Sequence, residues 1–395
     1  MNPLWLTHYT ATSSIGRGLD QTLSALRGLH SGLAPCRFDT VELETFVGEV
    51  TGLEEVKLPP PLAEYDCRNN RLAWLGLLQD DFQLAVRNAA EKYGRHRIGV
   101  FIGTSTSGIF QTELAYRRRN AETGALPADF NYRTTHNTYS VADFVRRCFN
   151  LAGPAAAVSS ACSSSAKVFG SARRMMEAGL IDAALVGGVD SLCLTTLYGF
   201  NSLELLSSEP CRPYDAKRNG LSIGEAAAFA LLEKSPQHED DIVLLGIGES
   251  SDAYHMSSPH PEGLGAKIAM QDALHMAGLA PSDIDYINLH GTATPSNDAA
   301  EGISVQALFG RNTACSSTKG ATGHTLGAAG GMEALISALA LKHGFMPAGI
   351  NTRQTDPSLQ LDYLLENREE RPRRVLSNSF GFGGTNCSLI FGISS

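Results

Sequence analysis

The chain has 395 residues, of which 43% are hydrophobic and 18% are charged, so it is a compact globular protein and not a disordered one. Its formal net charge of −9 argues against nucleic-acid binding, which needs a basic surface. The eight cysteines show neither CxxC pairs nor zinc-finger spacing. We therefore expect free thiols, no metal site and a cytoplasmic location. No secretory signal or membrane span is expected, because no apolar run approaches ~20 residues.

Apolar runs alternate with amphipathic segments along the chain. The apolar runs predict strands at 98–102, 155–158, 183–186, 242–247, 284–289, 376–380 and 387–391. The amphipathic segments predict helices at 71–93, 167–179, 264–278 and 327–342. Strands separated by helices favour an α/β protein with a mainly parallel sheet.

A faint internal repeat accompanies this alternation. Segments 163–179 and 325–344 each begin with small residues, continue as a helix and end at glycine. The similarity suggests two related halves. We predict an N-terminal half over 1–241 and a C-terminal half over 242–395, joined at the polar stretch 236–241.

Cys162 carries the most chemical information in the sequence. It stands between a predicted strand and a predicted helix, among serine and alanine residues. The N-terminus of a helix presents unpaired N–H groups and partial positive charge, and both favour the nucleophilic thiolate over the thiol. The alternative is a buried cysteine that only packs, as isolated cysteines often do. The surrounding motifs favour a nucleophile.

Three further motifs lie in the C-terminal half. His290 ends a predicted strand and is followed by glycine, where open α/β sheets place ligands, and two threonines follow it. Lys319 and His324 come just before a helix of small residues. The last motif, 378–386, is a glycine-rich loop with two phenylalanines. Each motif alone also has an ordinary structural interpretation, such as a hydrogen-bonded histidine in the core.

Taken together and in this order, the motifs resemble those of the elongating β-ketoacyl-acyl-carrier-protein synthases of the thiolase superfamily. The likeness extends to 212–220, 224–225 and 251–256, and so runs through most of the chain. It implies a thiolase-like, five-layered αβαβα fold of two pseudo-repeated halves, and a dimer. It also implies an acyltransferase that performs a decarboxylative Claisen condensation with malonyl-acyl carrier protein, lengthening the acyl chain by two carbons.

The resemblance assigns catalytic roles to Cys162, His290, His324, Lys319 and Glu333. Cys162 would accept the acyl chain, and its backbone N–H would form an oxyanion hole with that of Phe382. The two histidines would assist decarboxylation and stabilise the thioester enolate. Lys319 would lie near His324 and favour its neutral form, with Glu333 as its partner.

The resemblance also implies how substrates arrive. No cofactor is tightly bound, because the phosphopantetheine arm comes on the acyl carrier protein. Thr292 and Thr294 match contacts to that arm, and Ser258 is expected near its phosphate. Arg68 and Arg71 form a basic patch, read either as a docking site for the carrier or as ordinary solvated arginines. The acyl pocket and its gate are assigned to Thr106, Phe200, Phe380 and Phe382.

Several related classes fit less well. Chain-initiating and chalcone-type enzymes pair Cys and His with Asn, degradative thiolases use a second cysteine, and chain-length factors lack the nucleophile. The serines at 163–165 and the polar segment 111–139 favour an aryl-polyene or polyketide-type ketosynthase over a routine fatty-acid enzyme. A different class stays open, in which the chain is a scaffold or acts only in a heterodimer with a Cys-lacking chain-length factor.

Overall fold

The computed structural model describes residues 3–393. Within that range the strands are β1 (Leu4–Ser13), β2 (Gly16–Arg17), β3 (Ala34–Pro35), β4 (Phe46–Gly48), β5 (Ile98–Gly103), β6 (Ala155–Val158), β7 (Ala183–Asp190), β8 (Ile223–Gly224), β9 (Ala226–Glu233), β10 (Ile242–Ser251), β11 (Tyr286–Asn288), β12 (Ala314–Ser316), β13 (Asp362–Tyr363), β14 (Arg374–Gly381) and β15 (Thr385–Ile393). The α-helices are α1 (Leu19–Arg27), α2 (Arg68–Leu77), α3 (Phe82–Tyr93), α4 (Ile109–Arg117), α5 (Tyr139–Cys148), α6 (Ser164–Glu177), α7 (Leu194–Ser202), α8 (Leu264–Ala277), α9 (Pro295–Phe309), α10 (Lys319–Thr322) and α11 (Ala329–His343).

The strand order repeats between the two halves of the chain. In the first half, strands pair in the order β6-β5-β7-β9-β1, and in the second half in the order β12-β11-β14-β15-β10. When only these five strands of each half are numbered in chain order, both orders read third, second, fourth, fifth, first. The two half-sheets join where β1 pairs with β10, and β13 extends the outer edge of the second. The expected two halves are therefore visible in the topology, and the exact division at 241/242 stays a prediction.

Helices α6 and α11 each contact strands of both half-sheets. Helix α6 contacts β5 and β7 of its own half and β15 of the other, and α11 contacts β14 of its own half together with β7 and β9. Helices α2, α3 and α5 contact the first half-sheet, and α8 contacts β10 and β15 of the second. The sequence explains the central position of α11, because every residue from Ala329 to Leu341 is buried and such a helix must be enclosed.

Small residues let the two central helices approach closely. A Cβ added to Gly330 would lie 2.7 Å from the Cβ of Ala166, so a larger residue would push the helices apart. Next to this contact, the N–H of Gly331 donates a 2.7 Å hydrogen bond to Ser165 Oγ. The N-terminal ends of α6 and α11 therefore meet, one from each half.

Two sequence-based expectations about the fold are wrong. The sheet is not mainly parallel, since the pairings from β7 through β9, β1, β10 and β15 to β14 are antiparallel, and parallel pairs occupy the two outer regions. Segment 71–93 is not one helix, because Asp80 and Asp81 have φ of 54° and 53°, which end one helix before the next begins. The Asp80 carboxylate accepts hydrogen bonds from Thr10 Oγ1 and Leu19 N, a tertiary contact that local periodicity does not contain.

The remaining predicted elements are present with shifted ends. Strand β7 continues through the Gly187-Gly188 pair to Asp190, and the strand predicted at 284–289 spans only Tyr286–Asn288. The polar stretch 236–241 connects β9 to β10, as expected. Across residues 3–393, no helix combines the length and the apolar character needed to cross a membrane.

Candidate active site

Cys162 lies in a tight turn between β6 and α6. Ala161 adopts φ of 51°, which is uncommon for a residue with a Cβ and turns the chain sharply before the cysteine. The Ser164 hydroxyl closes the turn by accepting from Ser160 N at 2.9 Å and donating to Ala161 O at 2.6 Å. The serines after Cys162 thus have a structural role, and the thiol, 6% exposed, is directed into a cavity.

His324 approaches the cysteine from the second half. Its Nε2 lies 3.1 Å from Cys162 Sγ. Its Nδ1 accepts a hydrogen bond of 3.1 Å from the backbone N–H of Leu326. Because Nδ1 is an acceptor, the ring proton of the neutral imidazole is on Nε2. Burial, and then the charge of Lys319, hold the pKa of His324 well below its usual range, so it is a neutral donor toward the sulfur.

His290 is held in the same tautomer by Lys319. The ammonium group lies 3.2 Å from His290 Nδ1, which accepts, and it also donates to the backbone oxygen of His290 at 2.6 Å. It forms an ion pair with Glu333 as well. Burial and then Lys319 keep the pKa of His290 well below its usual value. The resemblance placed Lys319 near His324, whereas its hydrogen bonds go to His290.

A carboxylate on α9 fixes the backbone around His290. Glu301 accepts hydrogen bonds of 2.8 Å from the N–H groups of both His290 and Gly291, and one of 3.1 Å from Asn378 Nδ2. Burial raises the pKa of Glu301 to about 6. Sequence reasoning gave these two side chains no role, although Glu301 follows the His290 motif and Asn378 begins the glycine-rich loop. Spacing did not reveal that they meet.

The glycine-rich loop after β14 covers the nucleophile. The backbone N–H groups of Phe382 and Cys162 both act on the sulfur and lower its pKa. A Cβ added to Gly381 would lie 3.1 Å from Cys162 N and 3.0 Å from Ser160 O, so a larger residue would push the loop away from the thiol by a few tenths of an ångström. The two N–H groups predicted for an oxyanion hole are therefore beside the thiol.

Burial nevertheless dominates the titration of the nucleophile. It raises the pKa of the Cys162 thiol to about 11, and this effect exceeds the opposing effects of Lys319 and the two backbone N–H groups. The sequence predicts only that the N-terminus of a helix favours the thiolate over the thiol. The N–H groups act in the expected direction, but desolvation of the charged form outweighs them.

The cavity in front of Cys162 contains most of the predicted substrate-binding residues. Its lining includes Cys162, His290, His324, Thr292, Thr294, Ser258, Phe200, Phe380 and Phe382. The hydroxyls of Thr292 and Thr294 are 2.8 Å apart, and the rings of Phe200 and Phe382 stack at 5.4 Å. The cavity that contains the thiol is thus lined by threonine hydroxyls and by aromatic rings.

Three predicted site residues lie elsewhere. Thr106 does not line this cavity, and its hydroxyl donates to Asp190 Oδ1 at 2.7 Å. Its role as a gate stays a prediction. Arg68 is 3% exposed and is paired with the buried Glu225 at 2.6 Å, so its assignment as a docking cation is wrong. Arg71 is 21% exposed and is paired with Asp66 at 2.6 Å. The basic patch read from the sequence is neutralised by neighbouring acids.

The same three groups could in principle bind a metal ion. Ligand atoms of Cys162, His290 and His324 all lie within 4.8 Å of one another, and such a donor set suits zinc. However, the Lys319 ammonium is hydrogen-bonded to His290 and would repel a cation bound at the same group. The arrangement fits hydrogen-bond donation to an anionic intermediate better than metal binding, and the absence of a metal stays a prediction.

Comparisons with known proteins agree with this geometry. Family models for the N-terminal and C-terminal domains of β-ketoacyl synthases match residues 83–238 and 242–353. The chain is 32% identical to 3-oxoacyl-[acyl-carrier-protein] synthase 2 of Coxiella burnetii, over 98% of this chain and 97% of that protein.

Two solved structures extend the comparison to complexes. One is the ketosynthase ApeO in complex with its chain length factor ApeC from Xenorhabdus doucetiae, with 38% identity, a TM-score of 0.90, and coverage of 99% of this chain and 98% of that one. The other is the ishigamide ketosynthase/chain length factor, with 27% identity, a TM-score of 0.88 and 99% coverage of both chains. The expected thiolase-like fold is thereby confirmed.

Proposed function

Since the chain belongs to the β-ketoacyl synthase family, we propose that it condenses an acyl group on Cys162 with a malonyl unit delivered by an acyl carrier protein. Carbon dioxide is released, and the product is a β-ketoacyl-carrier protein two carbons longer. The observation that carries this proposal is the convergence of one thiol and two Nε2–H donors in a single buried cavity. No other described residues combine a nucleophile with donors in this way.

The first step is transfer of the acyl group to Cys162. The sulfur attacks the carbonyl carbon of the incoming thioester, and the pantetheine sulfur leaves with the proton from the cysteine. Negative charge develops on the carbonyl oxygen, which the N–H groups of Cys162 and Phe382 stabilise. The raised pKa of Cys162 means that the thiol loses its proton during the attack and not before substrate arrives.

The second step is decarboxylation of the malonyl thioester. The bond from the α-carbon to the carboxylate breaks, CO2 leaves, and the electron pair passes into an enolate with its charge on the thioester oxygen. His290 and His324 present Nε2–H groups to that oxygen because Lys319 and Leu326 N occupy the two Nδ1 atoms. A neutral imidazole already carries the Nε2–H group that donates, so no proton transfer has to come first. The low polarity of a buried site strengthens both hydrogen bonds.

The third step forms the new carbon–carbon bond. The α-carbon of the enolate attacks the acyl carbonyl on Cys162, and the same oxyanion hole stabilises the tetrahedral intermediate. Collapse of the intermediate expels the cysteine sulfur, which recovers a proton. The carrier arm lies along Thr292 and Thr294 in the approach to the cavity, with Ser258 nearby, and this arm is a substrate and not a resident cofactor.

The acyl chain itself is of a specialised, polyene or polyketide type in our proposal. The sequence signals were the serines after Cys162 and the polar segment 111–139. Phe200, Phe380 and Phe382 give the cavity an aromatic wall that can pack against a flat conjugated chain. The rival is ordinary saturated fatty-acid elongation.

A heterodimer is the second candidate for the working unit. The 38% identical ketosynthase is described as a complex with its chain length factor, and the ishigamide relative is likewise a ketosynthase/chain length factor. By analogy, this chain would supply the cysteine and a Cys-lacking sister would complete the enzyme. A homodimer, or a mainly scaffolding role, are the alternatives.

Intact-mass measurement of the purified chain tests these proposals. The protein is incubated with saturated and polyenoyl carrier proteins, and acyl transfer is read as one added acyl mass. We expect one equivalent on wild type and none on Cys162→Ala. Transfer of only saturated chains would contradict the specialised substrate, and transfer that requires an added sister subunit would establish the heterodimer. No transfer to wild type under either condition would overturn the proposed function.

A further inference from the structure

Asp190 joins three segments beside the active site. It ends strand β7 and is fully buried. Its carboxylate accepts hydrogen bonds from the backbone N–H groups of Ser105, Thr106 and Gly327, at 2.9, 2.8 and 2.5 Å. The hydroxyls of Thr104, Ser105 and Thr106 donate to it as well, at 2.7, 2.6 and 2.7 Å. Bonds to a charged acceptor are stronger than neutral ones.

The bond to Gly327 connects Asp190 to His324. Gly327 follows Leu326, which has φ of 54°, a left-handed conformation that is unfavourable for a leucine. The N–H of Leu326 is the group that donates to His324 Nδ1. An unfavourable backbone conformation persists only where neighbouring contacts hold it, and the bond to Gly327 is the contact immediately beside Leu326.

The space around Gly327 has no room for adjustment. A Cβ added there would lie 2.7 Å from Asp190 Oδ2 and 2.8 Å from Ser105 N. The absence of a side chain at Gly327 therefore lets the backbone of the turn contact the Asp190 carboxylate. Ser105 Oγ provides a second, weaker acceptor for the same N–H at 3.2 Å.

We propose that Asp190 is a positioning residue, which holds the Leu326–Gly327 turn so that His324 keeps its proton on Nε2 and directs it at Cys162. The carboxylate does not touch substrate. It acts through two adjacent backbone N–H groups. That of Gly327 donates to the carboxylate, and that of Leu326 donates to the imidazole of His324. The inference rests on the proposed donor role of His324, but the tautomer can be measured in the resting protein without substrate.

Asp190→Asn is the main test, because the amide is nearly the same size but has only one acceptor oxygen. Long-range 1H–15N spectra of histidine-labelled protein report the tautomer of His324, whose signal is identified by its loss in His324→Gln. We expect the Nε2–H form in wild type and a mixture of tautomers in Asp190→Asn. We also expect kcat for malonyl-carrier decarboxylation to fall about 10-fold with KM unchanged, as for loss of one charge-assisted hydrogen bond.

Thr104→Val is the matched control, since it removes one donor to the same carboxylate, together with the acceptor of the Ser107 N–H, but no hydrogen bond of Gly327. It should keep the wild-type tautomer. If Asp190→Asn does not fold, Ser105→Ala removes the second acceptor of the Gly327 N–H and should shift the tautomer partially. The proposal would be overturned if folded Asp190→Asn kept a pure Nε2–H form of His324 and an unchanged kcat. It would also be overturned if Thr104→Val shifted the His324 tautomer as much as Asp190→Asn does. Absence of decarboxylation in wild type would count against the function alone, because the tautomer result is independent of turnover.

Discussion

The two turns that precede the central helices α6 and α11 have corresponding places in the repeated topology but different chemistry. The turn before α6 presents a thiol and a backbone N–H at Cys162. The region before α11 presents Lys319 and His324, and it is fastened by Asp190 from the first half. One half thus supplies the nucleophile, and the other supplies the imidazole donors and the buried cation that fixes one of them.

The repeated scaffold therefore fixes where the helix ends meet, whereas the residues at those ends decide the chemistry. Both turns contain a left-handed non-glycine residue, Ala161 in one and Leu326 in the other. Each has a hydrogen bond beside it, from Ser164 Oγ to Ala161 O in one turn and from Gly327 N to Asp190 in the other. Variants that separate nucleophile from donors therefore test whether the two halves act in different steps.

The largest separation is expected from Cys162→Ala. Condensation should fall by at least about 10⁴-fold, because no acyl acceptor remains. Malonyl-carrier decarboxylation should persist, since both imidazole donors belong to the other half. Release of CO2 and formation of β-ketoacyl product, measured in parallel, check this. Loss of both activities in a folded variant would show that the halves are not chemically separate.

The converse change is His290→Ala or His324→Ala. Each should reduce decarboxylation about 10²- to 10³-fold, the loss typical of one oxyanion donor. Acylation of Cys162 should be less affected, because its oxyanion hole is made of backbone N–H groups. CO2 release against intact-mass acylation measures the difference. Full decarboxylation in both variants would refute the donor assignment.

Gly381→Ala probes the loop that brings Phe382 to Cys162. The added methyl group would lie 3.1 Å from Cys162 N, so the loop must shift away from the thiol. We expect acylation to slow about 10- to 100-fold, as for a small displacement of a positioned group. Decarboxylation should change less. Single-turnover acylation with Gly383→Ala as a control, where a Cβ meets nothing within 4 Å but φ is 79°, separates steric contact from backbone strain.

The pH dependence of alkylation tests the ionisation state of Cys162 in the resting protein. Burial places the pKa of Cys162 at about 11, above the ordinary thiol value, so the thiolate fraction at neutral pH is small. Alkylation of Cys162 by iodoacetamide should therefore rise about tenfold per pH unit and show no plateau below about pH 10. A plateau near neutral pH would mean that the His324 and backbone N–H groups outweigh desolvation.

The smallest effect on turnover is expected at Arg71. Arg71→Met should leave KM for the carrier within about twofold and stability within ~1 kcal/mol, because the arginine is already paired at the surface. Arg68→Met should instead lower the free energy of unfolding by about 3–5 kcal/mol, since Glu225 would be left buried without its partner. Denaturant unfolding and carrier titration distinguish a structural arginine from a docking one.

The motifs of the chain were sufficient to predict the reaction class and to propose residues for the site. Cys162, His290, His324 and Lys319 stand in the motifs that carry the family resemblance, and only that resemblance assigned roles to them and to Glu333. Helix α11 was predicted as an amphipathic segment, whereas in the structure every residue from Ala329 to Leu341 is buried. The two halves were visible as a weak repeat, since each builds the same turn and helix.

The arrangement and the protonation of those residues follow from tertiary packing. Antiparallel pairing in the middle of the sheet, the break at Asp80, the burial of Arg68 and the hydrogen bonds of Glu301 all depend on residues far apart in the chain. The state of Cys162 depends on desolvation, which no local motif records. Local sequence specifies residue types and short-range conformation, whereas burial and long-range hydrogen bonds exist only once the chain has packed.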